Sequence, residues 1–207
     1  MTVKEEGSDG DEFWENRYQT GDTPWEKGRA HPVLPWLLKT YRGIFRPGQQ
    51  VLVPGCGTGH DAALITEVTG PDTVTAMDLA PAALQRAQEA YPDAPVRWKE
   101  ADFFQLAPEE SYDLLWEHTC FCAIDPSKRG DYAAAAARAV RPKGYLLAVF
   151  FLNPDMPAGS GPPFGVEREE IHQHFARDFE LCWDLAPVDT YKPERIGRET
   201  VMLWRRK

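Results

Sequence analysis

The chain has 207 residues, 43% of them hydrophobic, and a formal net charge of -9. That length suits one domain with a sizeable core, and an acidic surface repels phosphate backbones, so no nucleic-acid partner is expected. No stretch is long and apolar enough to span a bilayer, and the acidic N-terminus lacks a signal-peptide core, so a soluble, cytoplasmic protein with no membrane partner, by default a monomer, is expected.

Residues 1–11 are charged and contain glycine, and read as a disordered tail. Residues 12–207 read as one domain, with 12–46 as an N-terminal helical cap. Within the cap, Phe13 to Tyr18 opens a short helix and Thr23-Pro24-Trp25 is a turn. From Pro32 to Arg42, Val33, Leu34, Leu37, Leu38 and Tyr41 recur at helical spacing.

Strands and helices then alternate. Gln50 to Pro54 predicts a strand and Asp61 to Val68 its helix; Thr73 to Met77 and Pro81 to Tyr91 repeat the pair, with proline in the helix's first turn. Val96 to Lys99 and Tyr112 to Trp116 are further strands. Tyr132 to Val140 is an alanine-rich helix, ended by Arg141-Pro142-Lys143-Gly144. Tyr145 to Leu152 is a continuous apolar run, as a central parallel strand requires. Asn153 to Gly165 is rich in proline and glycine and reads as a mobile loop. Arg168 to Phe175 is a helix, and Phe179 to Ala186 and Thr200 to Trp204 are closing strands. This alternation predicts an α/β fold, a Rossmann-like, doubly wound, mostly parallel sheet.

Val51 to Asp61 read V-L-V-P-G-C-G-T-G-H-D, a strand running through Gly55, Gly57 and Gly59 into a helix. Glycine permits the tight turn and lets a ligand approach the backbone. Asp78 ends the next apolar run, where a carboxylate can accept hydrogen bonds from a ribose diol. The dinucleotide fingerprint G-x-G-x-x-G seats a pyrophosphate on a helix N-terminus. Here the spacing is G-x-G-x-G, and His60 occupies the place of the third fingerprint glycine. The departure favours S-adenosylmethionine (SAM), which has no phosphate, over NAD. Cys56, Cys120, Cys122 and Cys182 do not form paired C-x-x-C motifs, so no metal site is expected.

Phe13-Trp14-Glu15-Asn16-Arg17-Tyr18, Thr23-Pro24-Trp25-Glu26-Lys27-Gly28 and the V-P-G-C-G-T-G-H-D run together resemble the thiopurine S-methyltransferase superfamily. Glu117-His118-Thr119-Cys120-Phe121-Cys122-Ala123-Ile124, followed by Pro126-Ser127 and Arg129, looks most like its halide and thiol methyltransferase branch; Gly161-Pro162-Pro163-Phe164 also recurs in the superfamily. The resemblance covers nearly the whole chain after the tail. It implies a class I SAM-dependent methyltransferase with an N-terminal cap, moving a methyl group to a small-molecule or small-anion acceptor. That acceptor would be a halide, thiocyanate, hydrosulfide or small thiol, and the second product S-adenosylhomocysteine.

The resemblance also implies positions. Trp14, Tyr18 and Trp25 would surround SAM, and aromatic faces attract a sulfonium cation. Gly55, with Gly57 beside it, would meet the methionine end. Asp78, followed by Leu79, would take the ribose, and Asp102 with Phe103 the adenine. His118 stands where plant relatives tend to carry tyrosine; it could contact the cofactor or act as a base. Arg129 matches an arginine that faces the substrate in thiopurine enzymes. Phe104, Phe121 and Phe164 are candidates for an apolar acceptor wall, and the cap and the Asn153 to Gly165 loop for a lid. Asp61 is read as a first-turn residue suited to the helix dipole. Three alternatives stay open: a methyltransferase for a larger heterocyclic thiol, a SAM-binding protein without catalysis, and an NAD-dependent oxidoreductase.

Overall fold

The computed structural model describes residues 10–107, 109–152, 154 and 161–207. One seven-stranded sheet organises them. Its strands are β1 (Val51–Pro54), β2 (Val74–Asp78), β3 (Arg97–Glu100), β4 (Tyr112–His118), β5 (Val140–Phe151), β6 (Phe179–Leu185) and β7 (Glu199–Arg206), in the spatial order 3-2-1-4-5-7-6. The first five run parallel; β7 pairs antiparallel with both β5 and β6. The sheet is of the class I methyltransferase type, an α/β fold.

The central strands are apolar on both faces because both faces are covered. Leu52, Met77, Leu115, Leu146, Ala148 and Phe150 point to one side. There they meet Tyr132, Ala135 and Ala136 of α5 (Arg129–Ala139) and Ile171 and Phe175 of α6 (Arg168–Phe175). Their alternates Val51, Val53, Leu114, Trp116, Leu147 and Val149 point to the other. Those pack on Leu34, Leu37 and Leu38 of α2 (Leu34–Thr40) and on Ala62 and Ile65 of α3 (His60–Thr69).

The N-terminal cap attaches by a different device. α1 (Asp11–Thr20) crosses the start of α4 (Pro81–Ala90), and Tyr18 packs with Ala80 and Ala83. No side chain of α4's own N-cap bonds its first turn. The Glu15 carboxylate of α1 does so instead, accepting the Ala82 N–H at 2.9 Å, where an anion also suits the helix dipole. A folded cap therefore completes a helix of the sheet domain.

Most boundaries agree with the sequence reading to within a few residues. One junction differs: Arg141-Pro142-Lys143-Gly144 does more than end a helix, because α5 stops at Ala139 and β5 already begins at Val140. The pairing with β4 shifts register between Tyr112 and Leu114. Arg141 pairs with Asp113, and a side chain at Gly144 would meet the Asp113 carbonyl oxygen at 2.8 Å. The helix terminator is thus absorbed into an irregular strand start. Of the expected tail at residues 1–11, residues 1–9 lie outside the described residues and Asp11 already belongs to α1; most of the expected loop, at 153 and 155–160, also lies outside them. Among the described residues no helix is long and apolar enough to cross a membrane.

Strand order reverses between β1 and β4, and ligands of open α/β sheets bind beyond the carboxyl ends of strands at such a switch point. The glycine loop leaves β1 there. Gly55, Gly57 and Gly59 all have positive φ, of 56°, 54° and 78°, a conformation that costs other residues about 1–2 kcal/mol. A Cβ at Gly59 would also lie 2.5 Å from the Trp98 ring. Gly59→Ala is expected to cost roughly 2–4 kcal/mol in urea unfolding, from backbone strain plus overpacking. Gly48→Ala, at φ +81° but with open space around it, should lose only the backbone part, about 1–2 kcal/mol.

Candidate active site

The carboxyl ends of β1, β2, β4 and β5, the segment after β3 and the cap enclose a cavity of about 380 Å³. This is near the lower end of the roughly 300–1,000 Å³ typical of small-molecule sites. All ten residues expected at a cofactor line it: Trp14, Tyr18, Trp25, Gly55, Gly57, Asp78, Leu79, Asp102, Phe103 and His118.

The glycine loop and Asp78 are tied together. Asp78 is buried at the end of β2, and its carboxylate accepts the Gly57 N–H at 2.8 Å and the Ala80 N–H at 3.0 Å. Burial nevertheless raises its pKa, and these backbone bonds offset part of the rise. Asp102 accepts the Phe104 N–H at 2.8 Å, so it caps the short turn Phe103–Gln105 while lining the cavity.

A second carboxylate, Glu26, joins the cap to the same loop. It bonds the Thr58 hydroxyl, faces His60 Nε2 at 2.9 Å and accepts the Gly28 N–H at 2.6 Å. Burial alone would raise its pKa, but these partners hold it down at about 2. The aromatic residues of the cap pack edge to face, Trp14 on Trp25 at 5.2 Å and Tyr18 on Trp25 at 5.7 Å between ring centroids. The Trp25 indole N–H donates to the Tyr18 hydroxyl at 3.0 Å, which fixes both rings against the glycine loop.

His118, the last residue of β4, belongs to a connected polar group. Its Nδ1 lies 2.7 Å from Asp61 Oδ2, which also accepts the Trp116 indole N–H at 2.8 Å. Asp61 Oδ1 accepts the His31 backbone N–H at 2.8 Å. Burial opposes the Asp61 charge, yet His118, Trp116 and His31 hold its pKa at about 2. The His31 ring is fully buried, and its Nδ1 accepts the Val33 N–H at 3.1 Å, so the proton sits on Nε2 and points to Glu199 at 3.0 Å. Burial lowers the His31 pKa, and Glu199 opposes the shift. Arg195 donates to the other oxygen of Glu199 at 3.0 Å.

The structure separates the acceptor-side candidates. Phe104 and His118 line the cavity; Arg129, Phe121 and Phe164 do not. Arg129 is 1% exposed. It pairs with Glu170 at 2.6 Å, donates to the Phe164 and Gly165 carbonyls at 3.3 and 3.0 Å, and lies over the Phe121 ring. It begins α5 with its side chain committed inward, so it braces the chain beside the wall residues Pro162 and Pro163 rather than facing an acceptor. Phe121 is a core ring packed on Tyr132, Phe150 and Phe175. Instead, Tyr191 and Arg195, from the stretch before β7, reach the cavity. Nothing local in the sequence marks Tyr191, Arg195 or His31, and Asp61 reads there only as a first-turn helix residue because its partners His31, Trp116 and His118 are distant in the chain.

A model of the thiopurine S-methyltransferase (TPMT) family matches residues 10–207. The chain belongs to the thiopurine S-methyltransferase family. It is 33% identical to thiocyanate methyltransferase 1 of Brassica oleracea over 170 residues, 80% of this chain and 69% of that one. Identity to thiocyanate methyltransferase 1 of Arabidopsis thaliana is 32% over 210 residues, 99% of this chain and 86% of the other. The crystal structure of magnesium protoporphyrin IX methyltransferase from Synechocystis with bound SAM superposes at a TM-score of 0.74 and 13% identity, covering 100% of both chains.

The family member is a SAM-dependent methyltransferase, and its cavity fits that cofactor. Gly55 and Gly57 leave bare backbone at the loop; a Cβ at Gly57 would lie 2.9 Å from the Tyr18 hydroxyl and at Gly55 2.9 Å from Cys120 Sγ. Asp78 offers a buried carboxylate, and the aromatic residues of the cap suit a cation. Asp78→Ala in this methyltransferase removes an acceptor whose charged hydrogen bonds are worth about 1.5–3 kcal/mol. Calorimetric titration with SAM should show affinity lowered by roughly 10–100-fold.

Glu117 supplies a pH test of the same strand end. It is wholly buried, and desolvation pushes its carboxyl up to about 7, although Phe121 N–H at 3.0 Å and the Tyr132 hydroxyl at 2.7 Å donate to it. A carboxyl raised above its unfolded value of 4.5 contributes stability fully below that value and loses it as pH climbs through about 7. The unfolding free energy should therefore fall between pH 5 and 8 by up to roughly 3 kcal/mol more in the native methyltransferase than in Glu117→Gln.

Proposed function

We propose that this methyltransferase acts on a small sulfur nucleophile: thiocyanate, hydrosulfide or a small thiol. The observation that carries the reading is the apolar lining of the cavity. At about 380 Å³ it has to hold a nucleoside cofactor and an acceptor together. Beyond the glycine loop its wall is mostly apolar, with Phe104, Ile124, Phe151, Pro162 and Pro163. A wall of that kind suits a small, weakly hydrated acceptor. The kinship to two plant enzymes named for thiocyanate supports the same class.

When bound, SAM supplies an electrophilic methyl group on a sulfonium. The chain's own residues do the rest. Trp14, Tyr18 and Trp25 present aromatic faces where positive charge is tolerated. The apolar wall excludes water, so an anionic acceptor meets the cation without its hydration shell. Rigid placement of both partners contributes further, roughly 7–11 kcal/mol at best. Arg195 is the cavity-lining cation on the acceptor side; its guanidinium packs 4.4 Å from the centroid of Phe151 and is held by Glu199. An acceptor that is already ionised needs no base. A halide would meet the same wall and belongs in the same assay.

Purified protein with SAM should release methyl thiocyanate or methanethiol into the headspace when offered thiocyanate or hydrosulfide. Iodide, bromide and chloride, offered separately, rank the halides. Tight SAM binding with no volatile product from any of these acceptors would contradict the proposal and favour a larger thiol or a SAM binder without catalysis.

A further inference from the structure

His118, which lines the cavity, packs against the His31 ring behind it, and the hydrogen bonding of the two differs. Both ring nitrogens of His31 are satisfied, by Val33 N–H and Glu199. His118 has only one partner. Its Nδ1 is bound to Asp61, and its Nε2 is buried with no hydrogen-bond partner among the described residues. Asp61 accepts at the Nδ1 position, so in the neutral imidazole Nδ1 carries the hydrogen and Nε2 the lone pair.

The ring is also immobilised. His31 packs edge-on at 4.7 Å and Tyr191 lies nearly parallel at 6.0 Å, 20° between planes. Asp61 cannot swing away, because Trp116 and the His31 backbone hold both of its oxygens. An unpaired buried acceptor of this kind is costly unless a ligand meets it. The arrangement is a base, an orienting carboxylate and a fixed ring plane, at the end of a strand that borders the acceptor space.

Resting on the acceptor class proposed above, we infer that His118, oriented by Asp61, is the general base that ionises neutral thiol acceptors, so that the enzyme methylates protonated thiols as well as pre-formed anions. The thiol S–H bond breaks, the proton goes to Nε2, and the electron pair stays on sulfur. That pair forms the new S–CH₃ bond with the methyl group SAM supplies, and neutral S-adenosylhomocysteine departs. The imidazolium keeps its Nδ1–H on Asp61 and returns the acquired proton to solvent as product leaves. Asp61 is a positioning residue; it touches His118 and not the acceptor. The ionisable groups around the ring are Asp61 on α3, His31 in the cap, Tyr191 before β7 and Glu117 on its own strand. Of these only the Asp61 carboxylate bonds it.

The test compares a proton-bearing acceptor with one that carries no proton at neutral pH. With 2-mercaptoethanol at pH 6.5, His118→Gln should lower kcat/KM about 100-fold or more beyond whatever it does to thiocyanate, the range expected for a general base. The thiol deficit of the variant should shrink as pH rises toward the thiol's own pKa. Asp61→Asn should shift the pH profile of thiol turnover in the same direction. Independently of turnover, ¹⁵N spectra of the native protein should show His118 as the Nδ1–H tautomer with a bare Nε2. Equal loss with both acceptors, a deficit that pH does not relieve, or an Nε2–H tautomer would overturn the inference and make His118 a cofactor or packing residue. Native enzyme that turns over neither acceptor would instead contradict the acceptor class itself.

Discussion

The Asp61 carboxylate is the interaction on which the rest of the site depends. Three donors converge on it from two distant parts of the chain: the His31 backbone, the Trp116 indole and His118. It sits in the first turn of α3, directly after the glycine loop, so one ion fixes the cap, the helix behind the loop and the end of β4. A buried carboxylate without partners would be strongly destabilising. With three donors it remains ionised, and its charge is available to His118, whose Nε2 has no partner among the described residues.

The cap is held to the sheet domain by charges of the same kind. Glu15 caps α4, and Glu26 bonds the glycine loop through Thr58 and His60. One anchor joins the cap to the start of α4 and the other joins it to the glycine loop that lines the cavity. Assembly of the aromatic group Trp14, Tyr18 and Trp25 is therefore coupled to the folding of the loop it covers. This coupling explains how a cavity bounded partly by a short helix can still have fixed walls.

Local pattern made the sheet and the glycine-loop end of the cavity readable in the sequence. The strand, G-x-G-x-G turn and Asp78 are neighbours in the chain, so their chemistry is visible as spacing. The apolar run from Tyr145 announced a strand covered on both faces. The end of the cavity near His118 and Arg195 was less legible because most of its contacts are long-range. His118 lies 57 residues from Asp61, and Arg195 reaches the cavity only because β7 inserts antiparallel beside β5. Arg129 illustrates the converse: its position invited an acceptor-facing role, but its place at the start of α5 turns the side chain into the interior, where Glu170 and two carbonyls neutralise it. A charge in a suggestive segment says little until its partners are known.

The central claim is spatial: SAM and a few-atom sulfur acceptor share one cavity, with the ribose at Asp78 and the acceptor near His118. A crystal structure with S-adenosylhomocysteine and thiocyanate tests it most directly. The account predicts the ribose hydroxyls on Asp78, the homocysteine sulfur among the cap aromatics, and thiocyanate between the Phe104 and Ile124 wall and His118. A nucleoside bound away from Asp78, or an acceptor end already filled by the homocysteine moiety, would contradict it.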